Sequence, residues 1–302
     1  MSNTILERLP DVATIAARVV GVDLNLAALI SRDVEADFSA GKGATIRIPV
    51  PAAIPTRTRG IYDTTTTLVA DDLEEQYIEV TLSDHLYNLA ILSEGDLSLD
   101  IADYAAQVLR PQARAIATKI EALTASAMTA VPATTSITYA AATPAKAFTA
   151  ARRVLRSNGV PGEVPLQAAV GSNVYADLLD APTGSGFDAD GTVRGFTVTE
   201  STRLDADDIV AFIPQAFSLV VRAPLVPAGA SYGASIKTPV DREGSVPFAI
   251  RVVNDYDSGV AADRSLVSTF AAVTPLPLPV DREDGTVDLV EHGGVVRLAT
   301  GA

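Results

Sequence analysis

Residues Ser98–Val131, SLDIADYAAQVLRPQARAIATKIEALTASAMTAV, decide how this chain is read. The apolar and small residues Ile101, Ala105, Val108, Ala113, Ile116, Ala117, Ile120, Leu123 and Ala127 recur mostly at three- and four-residue intervals. That spacing gathers side chains on one face of a helix. Asp103, Gln107, Gln112, Lys119 and Glu121 fall largely off that face. Ser98 is placed to cap the start, Asp100 and Asp103 sit in the first turn where the helix dipole favours negative charge, and Pro132 follows the far end. At a rise of about 1.5 Å per residue the helix would be roughly 50 Å long, so it reads as a beam. Pro111 breaks its regularity. A proline there has no amide hydrogen for the carbonyl of Gln107 and its ring crowds that turn, so the sequence predicts a bend at Pro111 or a division into two shorter helices.

Upstream of the beam, Ile46, Ile48 and Val50 alternate with Thr45, Arg47 and Pro49, and Ile78, Val80 and Leu82 form a second alternating run. The period of two predicts a pair of strands, with the proline placing the first at an edge. Between them lies Pro51–Glu75, which carries Pro55, Arg57, Arg59, Ile61, Tyr62, the run Thr64 to Thr67 and the acidic group Asp71, Asp72, Glu74 and Glu75. So long an aperiodic insertion marks a functional loop, here an extended hairpin projecting from the body. Further upstream, Pro10 and Asp11 open a short helical pattern through Val12, Ile15, Ala16 and Val19, ended by Gly21 and followed by Leu24, Leu26, Leu29 and Ile30. Neither piece can bury its apolar face alone. Both must lie on another surface, either this subunit's core or a neighbour's.

Downstream, Pro144 opens a helix through Ala147, Ala151, Val154 and Leu155, and Ser157-Asn158-Gly159 ends it. Leu166–Val170 reads as a buried strand, and Ser172 as the cap of a brief helix. Further strands are predicted at Phe196–Thr199, Ile209–Ile213, Phe217–Arg222, Phe248–Asn254 and Ser265–Val273. Pro275–Pro279 is proline-spaced and extended. Val287, Leu289, Val295, Val296 and Leu298 suggest a terminal hairpin turned by Gly293-Gly294. The pentapeptide PVDRE occurs at 239–243 and again at 279–283, too short to be a structural repeat.

At 302 residues, with 48% hydrophobic and 20% charged, the chain has material for a substantial core. It has no cysteine and only two histidines, His85 and His292, so disulfides, thiolate chemistry and multi-histidine metal sites are excluded. A net charge of −14 opposes a role in gripping nucleic acid by its phosphates, and fits a surface that stays soluble or repels DNA. No apolar run approaches the roughly 18 residues of a membrane span, and MSNTILERLP lacks the pattern of a secretory leader. The sequence is read as that of a protein made in the cytoplasm, with no membrane.

Chemical motifs are sparse. Gly41-Lys42-Gly43 lacks the glycine spacing of a phosphate loop and reads as a turn. Asp188, Asp190 and Gly191 resemble the middle of a calcium loop, yet Gly186 and Thr197 stand at its two end positions, where acids are needed. Asp84-His85 has no second histidine nearby, and Asp255-Tyr256-Asp257 reads more simply as the close of a strand. No cofactor, metal or catalytic group is selected.

The order of elements resembles the major capsid proteins of tailed bacteriophages, the Hong Kong 97-type fold. VDLNLAALISRDVEADF followed by TIRIPVP looks like an arm entering the extended loop. VTLSDHLYNLAILSEGDLSLDIADYAAQVLRPQARAIATKIEALTASAM resembles the loop's return into a spine helix. GFTVTES, AFIPQAFSLVVRAPLVP and AIRVVNDYDSGVAADRSLVSTFAA look like the later strands. The resemblance spans Ile5 to Val273 and implies an α+β fold. Its parts would be an N-terminal arm (1–42), an extended β-hairpin loop (43–83), a peripheral domain with the spine helix (84–143) and a mostly axial domain (144–247). Returning peripheral strands (248–274) and a C-terminal extension (275–302), a decoration or contact strap, complete the chain.

The resemblance also implies a non-enzymatic structural protein whose hexamers and pentamers tile an icosahedral head around double-stranded DNA, without sequence-specific binding. Scaffolding, portal and decoration proteins are possible partners, and the virion capsid, assembled in the host cytoplasm, is the implied location. Arg57, Arg59, Ile61 and Tyr62 on the loop are the expected inter-subunit contacts, the arginines pairing with acids of an adjoining subunit. The only lysines are Lys42, Lys119, Lys146 and Lys237, none within Pro51–Glu75, so the lysine-based welding of some relatives is not expected. The chain opens directly on the arm, so no N-terminal processing is expected. An encapsulin-type nanocompartment is the alternative within the fold. A soluble enzyme with a carboxylate or metal site around Asp255 and Asp257, and a tail or adhesin component, are the alternatives outside it.

Overall fold

The computed structural model describes residues 16, 24–32, 43–70, 72–73, 75–96, 104–182, 184–230, 232–237, 248–260, 262–282 and 284–299. Among these the chain runs β1 (Thr45–Val50), β2 (Gln76–Thr81), β3 (Asp84–Ser93), α1 (Arg110–Thr129), α2 (Ala145–Ser157), β4 (Leu166–Val170) and α3 (Ser172–Asp180). It continues β5 (Phe196–Glu200), β6 (Asp208–Phe212), β7 (Phe217–Arg222), β8 (Tyr232–Lys237), β9 (Ala249–Asp257) and β10 (Ala262–Pro275). β11 (Leu278–Asp281), β12 (Val287–Val290) and β13 (Val295–Ala299) close it. The chain divides into two compact units, Met1–Ala44 with Leu82–Ser126 and Leu219–Val273, and Thr45–Thr81 with Ala127–Ser218 and Thr274–Ala302.

In the first unit the sheet runs β3-β10-β9-β8, with β7 also paired to β10. β10 is antiparallel to both β3 and β9, and β8 is antiparallel to β9. The beam predicted from Ser98 begins, among the described residues, as a π-helical stretch at Ala105–Leu109 and becomes α-helical at Arg110. The change of helix type falls directly before Pro111, where the missing N–H removes a rung of the ladder. Residues 97–103, with the proposed Ser98 cap, lie outside the described residues.

Val108, Ala113, Ile116, Ala117 and Ile120 are buried, as their spacing predicts, with Leu123 and Ala127 half-buried and Leu109, outside the predicted face, buried too. Two residues assigned to the polar face are buried as well: Gln112 and Glu121. The reason is specific pairing. The Gln112 amide donates to the Ser265 carbonyl on β10 at 2.9 Å and accepts from the Ser265 hydroxyl at 3.1 Å, so it is satisfied away from water. Glu121 is satisfied by the arm, as described below.

In the second unit, β1 and β2 form the expected antiparallel pair, with Ile46 opposite Val80 and Ile48 opposite Ile78. Pro49 stands opposite Tyr77 in this two-stranded ribbon, where every strand is an edge. A separate sheet runs β13-β6-β4-β5, with β4 and β5 parallel and the other pairs antiparallel. α2 lies against β6 and β13, burying Ala147, Phe148, Ala151 and Leu155. It ends at Ser157, and Gly159 takes φ +101° beyond it. Edge-to-face pairs Phe148–Phe196 and Phe212–Phe217 sit in this core, with centroids 5.9 and 5.7 Å apart.

α3 starts at Ser172 without a side-chain cap; instead the Asn173 and Val174 N–H groups donate to the Ala206 carbonyl. Gly171 is needed at that junction, since a Cβ there would lie 2.1 Å from the Asp205 carbonyl oxygen.

The C-terminal segment corrects two expectations. Val287–Val290 does not pair with Val295–Ala299 across Gly293-Gly294; it pairs with Leu278–Asp281, and the turn falls between Asp281 and Val287. Val295–Ala299 instead joins β6 as the edge strand of the four-stranded sheet. The segment's strand β13 packs into that sheet, with Val295, Val296 and Leu298 buried, rather than decorating it. Arg297 on β13 locks it, with Nη2 and Nε on Asp208 Oδ2 at 2.9 and 3.2 Å and Nη1 on the Thr129 carbonyl at 2.7 Å. A cation at the carbonyl end of α1 also satisfies the helix dipole.

Candidate assembly surface

Between β1 and β2 the described residues form no strand, and local hydrogen bonds order the loop's tip. Asp63 N–H donates to the Gly60 carbonyl at 3.0 Å, closing a turn over Ile61 and Tyr62. The Arg59 guanidinium reaches forward and donates to the Asp63 carbonyl, with Nε at 2.7 Å. The Asp63 carboxylate then accepts from the Thr65 N–H and hydroxyl, each at 2.8 Å, from the Thr66 N–H at 3.2 Å and from the Thr66 hydroxyl. Those donors favour the ionised form and hold the Asp63 carboxyl well below the usual range. Aspartate and threonine make such turns because their short oxygens reach the backbone two or three residues on.

The result is a clamped tip that presents Ile61 and Tyr62, each 95% exposed. Leu68, Val69 and Leu73 further along the loop are exposed as well. Local hydrogen bonds thus order the tip while its apolar side chains stay in solvent. Arg59, Ile61 and Tyr62 therefore meet at the tip. The structure gives Arg59 an internal task that the sequence reading did not foresee.

The base of the loop is also supported from within its own unit. Gln76 Nε2 donates to the Val287 carbonyl at 2.9 Å, and Gly285, at φ +86°, packs so closely on Pro55 that a Cβ would lie 2.1 Å from its Cδ. On the strands, Arg47 bridges Glu79 at 3.0 Å and its guanidinium sits 4.5 Å from the Tyr77 ring centroid. Both partners of that bridge are exposed, so it adds little stability.

The arm behaves differently. Glu121 on α1, 5% exposed, accepts the Asn25 N–H at 2.7 Å, the Leu26 N–H at 2.9 Å and the Ala27 N–H at 3.0 Å. One carboxylate thus takes the amide donors that open the 3-10 turn Leu26–Ala28. Leu24, Leu26, Ala27 and Ile30 are buried, and Leu219 N–H donates to the Ser31 carbonyl at 2.9 Å. Of the two surfaces the sequence allowed, this inner part of the arm takes its own subunit's core. The predicted helix from Pro10 lies, apart from Ala16, outside the described residues.

β3 was not read from the sequence as a strand. Tyr87, Leu89 and Ile91 are exposed on one face of it, while Leu86 is buried on the other, and apolar residues on both faces hide the alternation. Among the described residues the strand pairs with β10 alone.

The remaining motifs serve as turns and core. Asp188 and Asp190 are used within their loop, by the Arg194 N–H at 2.9 Å and by the Thr192 N–H and hydroxyl at 3.1 and 2.8 Å. His85 packs against Tyr87 and Phe270. Asp257 holds Arg264 and accepts the Gly259 N–H at 2.9 Å. Among the described residues no three His, Cys, Asp or Glu side chains gather as metal ligands.

No protein-family model matches the chain, and no curated protein matches it in sequence. Solved structures do. A chain from Mycobacterium phage Che8 superposes with a TM-score of 0.60 at 18% identity, over 92% of this chain and 92% of its own. The cyanophage A-1(L) capsid gives a TM-score of 0.56 at 14% identity, over 99% and 97%. A virus-like particle from Pyrococcus furiosus gives 0.51 at 12% identity, over 97% and 100%. The fold is that of tailed-phage major capsid proteins, an α+β arrangement of few helices and many strands.

Proposed function

We propose that this chain is the major capsid protein of a tailed phage, assembling as hexamers and pentamers into an icosahedral head around double-stranded DNA. The fold likeness supports a shell subunit. The observation that carries the reading is the clamped tip: Ile61 and Tyr62 stand in solvent on a loop whose internal hydrogen bonds hold them there. A lone protein gains nothing from that arrangement, whereas a tiling one gains a preformed contact.

In this reading Ile61 and Tyr62 seat on an adjoining subunit, Arg57 and Arg59 flank them opposite its acidic groups, and 43–83 is the extended loop. Residues 1–42 form the arm, 84–143 and 248–274 the peripheral domain, and 144–247 most of the axial domain, with Pro111 marking the bend of the spine. The C-terminal extension, 275–302, completes the axial sheet through β13. The charge of −14 suits a wall facing packed DNA without adhering to it. Contacts, rather than an active site, are the mechanism. Portal and scaffolding proteins are the further partners of such a head, assembled in the host cytoplasm.

The Pyrococcus furiosus likeness, spanning that whole chain, favours a second reading as a nanocompartment shell. Purified particles separate the two: nuclease-protected DNA inside supports the phage head, and a protein cargo in its place supports the compartment.

A further inference from the structure

In the first unit a pocket of about 640 Å³ opens beside Gly43 and Leu82, where the chain leaves for β1 and returns from β2. Its walls include Phe270, Leu225 and His85, and its charges are Arg222, Arg251 and Asp84. Arg251 is 8% exposed. Its Nε donates to the Ser268 hydroxyl at 3.0 Å and its Nη1 to the Leu225 carbonyl at 2.9 Å. Among the described residues no carboxylate comes within 4.0 Å of Arg251 or Arg222, Asp84 included. A guanidinium withdrawn from water ordinarily has a carboxylate opposite it, because neutral hydrogen bonds return only part of its hydration. Here the pocket stays net positive in a chain whose 37 acidic residues outnumber its 23 basic ones.

We infer that this pocket receives an acidic side chain of a second copy of the chain, its carboxylate meeting Arg251 and Arg222 and its stem lying on Phe270 and Leu225. Charge complementarity selects the occupant: acids are what the surface of another copy offers in excess, and the pocket's two guanidiniums outnumber its one carboxylate, Asp84. The inference rests on the shell reading proposed above and adds to it a receptor site separate from the loop tip. The carboxylate would be fixed by guanidinium forks, which suit its planar geometry better than ammonium groups do.

The test uses assembled particles of the full chain with a benzoylphenylalanine photo-cross-linker replacing Leu225, which is 75% exposed and lines the pocket. After irradiation the expected product is a cross-linked dimer whose second peptide comes from another copy and contains Asp or Glu. Arg222→Gln, at a half-buried residue, should leave subunit unfolding unchanged and raise the concentration for half-assembly about tenfold, as loss of one charge-assisted contact does. Arg251→Gln should raise it further, and Arg251→Lys should recover part of the loss.

Cross-links confined to the same chain, cross-links to nucleic acid, or no cross-link at all overturn the inference while leaving the shell reading intact. So does Arg222→Gln assembling like the parent. A parent chain that stays monomeric at all concentrations overturns both.

Discussion

Replacing Glu121 by alanine should release the arm. Hydrogen bonds to an ionised acceptor are worth about 1.5–3 kcal/mol each, and three converge on this carboxylate. Burying the carboxylate takes back several kcal/mol of that sum. Removing it leaves the Leu26 and Ala27 donors buried without a partner, at about 1–3 kcal/mol apiece, so the expected cost is about 2–6 kcal/mol of unfolding free energy. The arm can lower that cost by detaching, which rehydrates the amides but exposes Leu24, Leu26 and Ile30. Either route is visible. Urea unfolding reads the first, and hydrogen exchange at the Leu26 and Ala27 amides reads the second. Glu121→Gln keeps one acceptor oxygen for Asn25 and Ala27 but turns an NH₂ group toward the Leu26 N–H, so about half the loss is expected. If Glu121→Ala stays within about 0.5 kcal/mol of the parent and both amides remain protected, the carboxylate does not hold the arm and the reasoning is wrong.

Ile61→Asp and Tyr62→Asp should leave the subunit's urea midpoint unchanged, because both residues are solvated, and should abolish particles in sedimentation; particles forming normally would remove the tip from the interface. The Asp63 carboxyl should titrate well below 3.8, followed by carbon NMR. Its pKa is depressed in the folded loop, so the ordering it gives is present above the unfolded value and fades as pH falls below it toward the folded one. A midpoint near 3.8 would mean the threonine clamp is absent in solution. Arg297→Met strands the buried Asp208 carboxylate and should cost about 3–5 kcal/mol in denaturant unfolding, with a surface-like loss below about 0.5 kcal/mol counting against it. Deleting residues 274–302 should leave the chain insoluble or partly unfolded by circular dichroism, since β6 loses its edge partner; a soluble, folded product would restore the view of this segment as a decoration.

What the sequence disclosed followed periodicity. α1 and α2 have one apolar face each, and β1, β2, β4 and β6 alternate or form short apolar runs, so their spacing was readable. What it hid depended on partners far along the chain. Gln112 and Glu121 look like surface residues until Ser265 and the arm's amides are seen to satisfy them. β8, with Gly233, Ala234 and Ser235, is weak as a strand by composition and exists because β9 pairs with it. The terminal hairpin was misjudged because Gly293-Gly294 is a strong turn signal, whereas the pairing of β13 with β6 links segments more than eighty residues apart. At the tip, the exposure of Ile61 and Tyr62 was implicit in an aperiodic loop, but the Arg59 and Asp63 clamp was not. Its sequence, Arg59-Gly60-Ile61-Tyr62-Asp63-Thr64-Thr65-Thr66, carries the Asp-to-Thr spacing of a side-chain-capped turn, which is the signal that would have revealed it.

Sedimentation velocity of the purified chain over a wide concentration range, with negative-stain microscopy of the fastest fraction, bears most directly on whether this protein tiles. The expected result is a cooperative passage from 31.4 kDa subunits to closed particles of uniform size. A single 31.4 kDa species at every concentration would contradict the account.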